Sequence, residues 1–269
     1  MKIQFDFGQN WLDFSQKVLN PEKVQQAKQD FSDLLNNINI KGKSFLDIGF
    51  GQGLSLFSAA EKGTKSFGND INPKCTEVLR NNISYYPKLN ISDITVVTGS
   101  ILNSSVIDQL VKKSPNGLRY DIVHSWGVLH HTGNMKKAIQ NAASLVKPGG
   151  YFIIAIYNCH WTSPLWKVIK RFYCNSSESI KKLMIYTFYP IIWIFKYLVT
   201  GQNPKMQSRG MDFYYNVIDW IGGYPYEYAD TRSIQTFLTK LGFSSLKTIR
   251  SSVPTGCNEY IFKKKITNH

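Results

Sequence analysis

Residues 45–53 read Phe45-Leu46-Asp47-Ile48-Gly49-Phe50-Gly51-Gln52-Gly53, an apolar run that reaches a carboxylate and then places a glycine at every second position. The run predicts a buried strand, and glycine lets the chain turn sharply at its end. A helix opening on that turn points its free N–H groups toward whatever the loop holds. Asp70 stands twenty-one positions after Gly49 and closes a second apolar run, where a carboxylate can take both hydroxyls of a ribose. Together the two features imply a cofactor that carries a nucleoside.

What the loop lacks narrows that cofactor. A dinucleotide fingerprint wants glycine at its sixth position, which counting from Gly49 is Leu54. No Lys-Ser or Lys-Thr pair follows the glycines, which excludes a P-loop. The spacing Asp47-x-Gly49-x-Gly51-x-Gly53 instead resembles the first motif of class I S-adenosylmethionine-dependent methyltransferases. The resemblance continues in order through Asp70, DIVHSWGVLHHTGN at 121–134 and LVKPGGYFIIAIYN at 145–158.

The resemblance implies S-adenosyl-L-methionine as cofactor. Asp47, Gly49, Phe50, Gly51 and Gly53 then fall around its methionine portion, with Asp70 and Ile71 at the ribose. Ser100 and Ile101 fall near the adenine, and Ser125, Trp126 and Gly127 on the fourth-strand loop. Many relatives end the third strand in an acidic residue, whereas this chain has Gly99-Ser100-Ile101, so the adenine contact departs from the family pattern. The competing reading of the glycines is a turn that only needs small residues.

Short apolar runs alternate with helical periodicity. Strands are expected at Ser44–Ile48, Lys65–Asn69, Ile94–Thr98, Asp121–Ser125 and Tyr151–Tyr157, and helices at Leu54–Glu61, Pro73–Ser84, Ser104–Lys112 and Met135–Val146. Lys147-Pro148-Gly149-Gly150 reads as a helix stop and tight turn. That order predicts an α/β fold, a doubly wound, mainly parallel sheet. The family resemblance brings it to seven strands with an antiparallel C-terminal strand. Residues 1–40 would form an N-terminal lid with a helix at Pro21–Ile38, and Phe7, Asn10 and Trp11 would close over the cofactor or simply pack. Residues 41–158 would be the cofactor-binding core and 159–229 a helical, aromatic substrate cap. Residues 230–269 would complete the core with a helix at Thr231–Leu241 and a hairpin.

Methyl transfer is an in-line displacement, so positioning carries most of the catalysis, and a hydroxyl acceptor also needs a base. His131 and His130 are the candidate bases because their loop follows the fourth strand; His160 is a further one. His124, inside the strand, reads as a core histidine. Tyr157, Asn158, Arg209, Trp220 and Tyr224 are substrate candidates, with polar contacts from Asp212, Asp219 and Glu227. The alternative is an aromatic segment packed on the sheet. No metal site is expected.

The chain has 269 residues and a formal charge of +14, which suggests an anionic partner or an ordinary solvated basic surface. The four cysteines form no C-x-x-C pair and no secretory signal is evident, so a cytoplasmic protein is expected. Leu183–Val199 is apolar but holds Pro190 and Lys196, and reads as too short to span a bilayer. Two packed cap helices, a peripheral membrane contact and the lining of a lipid pocket remain open for it. The expected activity is methylation of a small-molecule acceptor, with oxygen the favoured atom and a glycan or glycolipid, a quinone-like lipid or another metabolite as acceptor. RNA methylation and a non-catalytic cofactor-binding scaffold are the alternatives. Nucleic acid is disfavoured because no N-P-P-Y motif, catalytic cysteine motif or RNA-binding module is present. The oligomeric state is left open.

Overall fold

The computed structural model describes residues 3–35, 38–205 and 209–266. Five strands follow one another as β1 (Ser44–Ile48), β2 (Lys65–Asp70), β3 (Ile94–Thr98), β4 (Tyr120–Trp126) and β5 (Val146–Tyr157). They are joined by α3 (Leu54–Glu61), α4 (Pro73–Asn82), α5 (Ser104–Lys113) and α6 (Met135–Ser144), after α1 (Phe7–Lys17) and α2 (Pro21–Leu35). The cap contributes α7 (Ser163–Asn175), α8 (Glu178–Thr200) and α9 (Phe213–Gly222); α10 (Thr231–Lys240), β6 (Phe243–Ile249) and β7 (Cys257–Lys264) close the chain.

The sheet has seven strands in the order β3-β2-β1-β4-β5-β7-β6, parallel except that β7 runs against both neighbours. Its two faces are separated by the period of two along each strand. Leu46, Val123 and Phe152 turn toward α5, α6 and α10, while Phe45, Ile122 and Ile153 turn toward α1 to α4. Strand order reverses between β1 and β4, which opens a crevice beyond their C-terminal ends.

Several elements differ from the sequence reading. Lys147 to Gly150 is part of β5: the register slips between Tyr120 and Ile122, so the glycines make a bulge inside the strand. Helix α1 was not anticipated, although Asp6 accepts from the Gln9 N–H at 3.0 Å, and an Asp three residues before Gln is an N-terminal signature. Helix α2 ends at Leu35; positions 36 and 37 lie outside the described residues.

The largest difference is α8, a continuous helix of 23 residues that runs through Pro190. Proline removes one helical donor, but Tyr186, whose carbonyl loses that partner, lies on the exposed side of the helix. By length and composition α8 is long and apolar enough to cross a membrane, which the shorter expected segment was not. One face of α8 packs on α9, as expected of paired cap helices, while the other stays uncovered.

Candidate active site

A cleft of about 980 Å³ lies beyond the C-terminal strand ends, bounded by the glycine loop, the β4 loop, α1, α9 and the β6–β7 loop. It sits near the top of the range for small-molecule sites, so a nucleoside and a second reactant fit together. Asp47, Gly49, Phe50, Gly51, Asp70, Ile71, Ser100, Ile101, Trp126 and Gly127 all line it. So do His131, Tyr157 and Arg209.

Gly49 and Gly51 have φ of +72° and +51°, a left-handed backbone that side chains rarely adopt. A Cβ on Gly49 would run into Val128, and one on Gly51 would lie 2.8 Å from Trp11 Nε1. The loop is therefore closed by α1 as well as shaped by glycine. Asp70 pins it: one carboxylate oxygen accepts from the Gly51 N–H at 3.1 Å and the other from Asn72 at 2.9 Å. The Cys75 thiol also hydrogen-bonds this carboxylate, whose two oxygens together still have capacity for a further donor. Burial raises the Asp70 pKa. Ile71 beside it is 51% exposed, an apolar side chain left open at the cleft wall. Ser100 Oγ accepts from the Leu102 N–H at 3.2 Å, so it already serves its own turn.

Under the loop, Asp47 Oδ1 lies 2.7 Å from His124 Nδ1, both buried, which joins the ends of β1 and β4. Arg209 stacks its guanidinium 3.9 Å from the centre of the Trp126 ring and donates to Ser55 Oγ at 3.2 Å. Burial pulls its pKa down to about 10, so it remains a cation at neutral pH. Its contribution comes from the cap, yet it reaches the first turn of α3.

Other sequence candidates do not reach the cleft wall. Gly53 caps α3 and faces Leu79 in the core. Ser125 Oγ donates to the Ile48 carbonyl at 2.9 Å and ties β4 to β1. His130 is fully buried and its Nδ1 accepts from the Tyr157 N–H at 3.2 Å, anchoring the loop to β5. His160 Nδ1 lies 2.9 Å from Thr162 Oγ1 at the start of α7, where a side chain can satisfy the turn but not reach the crevice. Asn158 donates to the Pro254 carbonyl at 3.1 Å and accepts from Asn258 at 3.0 Å, so it splices β5 to the β7 approach. Trp220 lines a smaller hollow of about 140 Å³ beside the cleft. The Tyr224 carbonyl accepts from the Phe5 N–H at 2.9 Å and holds the N-terminal segment. Asp212 caps α9 through the Tyr214 N–H at 2.9 Å, and Glu227 accepts from the Met135 N–H at 2.8 Å.

One carboxylate gains importance from the structure. Asp219 on α9 lines both the cleft and the adjoining hollow, and its Oδ1 is buried with no hydrogen-bond partner among the described residues. Burial pushes its pKa up to about 6. A Cβ on Gly223 would lie 2.9 Å from His131 Cε1 and 3.0 Å from Asp219 Oδ1, so the two side chains meet around that glycine. His131 Nδ1 lies 2.7 Å from the Pro225 carbonyl and must carry the proton there. Burial lowers the His131 pKa to about 3, so the ring is neutral. Beneath them Lys170, fully buried, donates to the carbonyls of Trp220 and Asp219 and sits 5.5 Å from the Tyr157 ring centre. Sequence spacing could not single out Asp219, because a carboxylate on a helix is ordinarily solvated.

A methyltransferase domain model matches residues 21–243, most of the chain. The chain belongs to the methyltransferase domain family. The open glycine loop and the Asp70 carboxylate beside it fit an S-adenosylmethionine donor. Among curated proteins it is similar to the ubiquinone biosynthesis O-methyltransferase of Coxiella burnetii, 25% identical over 173 residues. That match covers 61% of this chain and 64% of the relative's length, so this chain spans less than two thirds of it.

Solved structures share the fold. A putative S-adenosyl-L-methionine-dependent methyltransferase from Methanococcus maripaludis superposes with a TM-score of 0.54 at 18% identity, over 100% of this chain and 96% of that one. Magnesium protoporphyrin IX methyltransferase from Synechocystis PCC 6803, with bound S-adenosylhomocysteine, gives 0.53 at 16% identity, over 90% and 83%.

Proposed function

We propose that this methyltransferase O-methylates a small, lipid-like hydroxyl compound, with Asp219 as the base. The carrying observation is the buried, unpartnered carboxylate oxygen of Asp219 on the wall of the donor cleft. The bound donor supplies an electrophilic methyl group on a sulfonium. Asp70 takes the ribose hydroxyls, Ile71 and Ile101 cover the adenine, and Arg209 holds the donor's carboxylate with its planar fork. Phe7 and Trp11 of α1 shut the mouth and exclude water.

On the acceptor side Phe5, Met211, Pro225 and Val253 offer apolar contact around Asp219, Asn216 and Tyr157. Such a wall suits a ring or chain that ends in one hydroxyl. Asp219 accepts the hydroxyl proton as the oxygen attacks, and a pKa of about 6 lets it do so at neutral pH while remaining a real base. His131, neutral and fixed by Pro225, positions the acceptor. The name of the Coxiella burnetii relative supports an oxygen acceptor of quinone type.

The test is transfer of labelled methyl from the donor to catechol- and phenol-bearing lipids, with the products identified by mass spectrometry. A methyl ether formed by the wild type and lost in Asp219→Asn supports the reading. Label found on nitrogen or on RNA would overturn it.

A further inference from the structure

We infer that the outer faces of α7 and α8 dock on an anionic phospholipid bilayer, with α8 lying along the surface. The docking stands on these two helices alone; a passage from it to the cleft rests on the acceptor reading above.

Helix α8 is apolar on both sides. Its inner side, with Met184, Phe188, Ile192 and Trp193, packs with Phe213, Val217 and Ile221 of α9. Its outer side carries Leu183, Ile191, Ile194 and Leu198 at helical spacing, all exposed, with Leu198 at 74%. A helix that is apolar all round is normally enclosed. In the turn before α7 and along that helix, Trp161, Leu165, Val168 and Phe172 repeat the pattern at intervals of four, three and four, with Trp161 84% exposed. Two consecutive helices thus leave apolar stripes uncovered.

Charge decides what covers them. Residues 159–205 contain seven Lys and Arg against one acidic residue, Glu178, which is paired with Lys181 at 2.7 Å. Lys167, Arg171, Lys182 and Lys205 are exposed among the stripes. Apolar stripes set among cations match the headgroup and acyl layers of an anionic leaflet. A second copy of the chain would set the same cations against themselves. RNA would meet the cations but leave the stripes wet. A spanning α8 would forfeit its packing on α9 and drag Lys181, Lys182 and Lys196 into the bilayer.

The hollow beside the cleft gives the docking a use. Lys196 of α8 lines it with Phe213 and Val217, and it shares Tyr157, Asn216, Asp219 and Val253 with the cleft. An acceptor held in the bilayer by its tail therefore approaches Asp219 from the α8 side.

Flotation of the full chain with phosphatidylcholine vesicles, with and without phosphatidylglycerol, tests the docking. The wild type should float with the anionic vesicles, and high salt or alkaline carbonate should release it. The combined substitution Leu183→Glu, Ile194→Glu and Leu198→Glu should lower vesicle partitioning at least about tenfold while calorimetric donor affinity is kept. Should that variant fail to bind donor, Lys167→Glu with Lys182→Glu, both exposed, provides the second readout and should weaken only anionic-vesicle binding. Wild-type protein that stays unfloated overturns the proposal, as do variants that float unchanged or protein that resists carbonate. A dimer seen by light scattering that the triple variant abolishes would also overturn it. Failure of donor binding in the wild type would sink the proposed reaction and leave the flotation result standing.

Discussion

Helices α3 and α8 are both rich in apolar residues, yet α3 buries Leu54, Leu56, Phe57, Ser58 and Ala59 within its eight residues, whereas α8 buries Ile192 alone among its 23, all described. In α3 the apolar character is consumed by the fold, since its helix must seat the glycine loop against β1 and β2. In α8 it is left over after packing on α9, and so remains for something outside the chain. The contrast extends to charge: the core keeps Asp47 and Asp70 at strand ends, while the cap brings Asp219 and Arg209 onto the cleft, with Lys170 buried beneath.

The sharpest way to break that contrast is Asp219→Asn, because it asks whether the cap supplies chemistry to a cofactor that the core holds. Turnover should fall by about 10²–10⁴ with donor affinity unchanged. The wild-type rate should decline as pH falls below about 6, where the carboxyl keeps its proton and cannot accept another. That acid limb should vanish in the variant. His131, whose pKa lies near 3, cannot generate it. A limb that persists in Asp219→Asn would remove Asp219 as the base.

Next in size is a stability contrast. Phe57→Ala in the core should cost about 3–5 kcal/mol, since it opens a cavity against Tyr86, whose ring stacks 4.7 Å away. Leu198→Ala on α8 should stay within about 0.5 kcal/mol, because the side chain is already in solvent. Urea unfolding monitored by tryptophan fluorescence measures both, and equal costs would mean that α8 is covered within the chain itself.

The same division explains what could be read in advance. Strands β1 and β3 and helix α3 form at the residues expected, because unbroken apolar runs and a glycine turn are local signals. The β4 and β5 ends were legible for the same reason, and most of the residues proposed for the donor do line the cleft. The cap was not, because burial there depends on α7, α8 and α9 meeting one another. Pro190 signals a break only where its carbonyl partner would be buried. His160 looked poised by its place after β5, but the turn into α7 takes its ring nitrogen; Asp219 was one of three carboxylates read as polar contacts, and only the packing of α9 on α7 distinguishes it from Asp212 and Glu227.

Asp70→Ala should weaken donor binding by about 10- to 150-fold, the loss of about 1.5–3 kcal/mol of charge-assisted hydrogen bonding. The effect should be smaller in turnover at saturating donor, since the cap residues that handle the acceptor are untouched. Calorimetry separates the two, and unchanged affinity would take Asp70 out of the site.

His160→Ala carries the smallest expected effect and closes the contrast from the other side. The ring is partly exposed and hydrogen-bonds within its own turn, and it lies outside the cleft wall. A solvent-facing substitution of that kind costs at most about 0.5 kcal/mol. Turnover, donor affinity and the acid limb should therefore match the wild type within about twofold. A large loss of turnover with donor affinity intact would show that the start of α7 swings into the cleft when the acceptor binds, and that His160 shares the proton with Asp219.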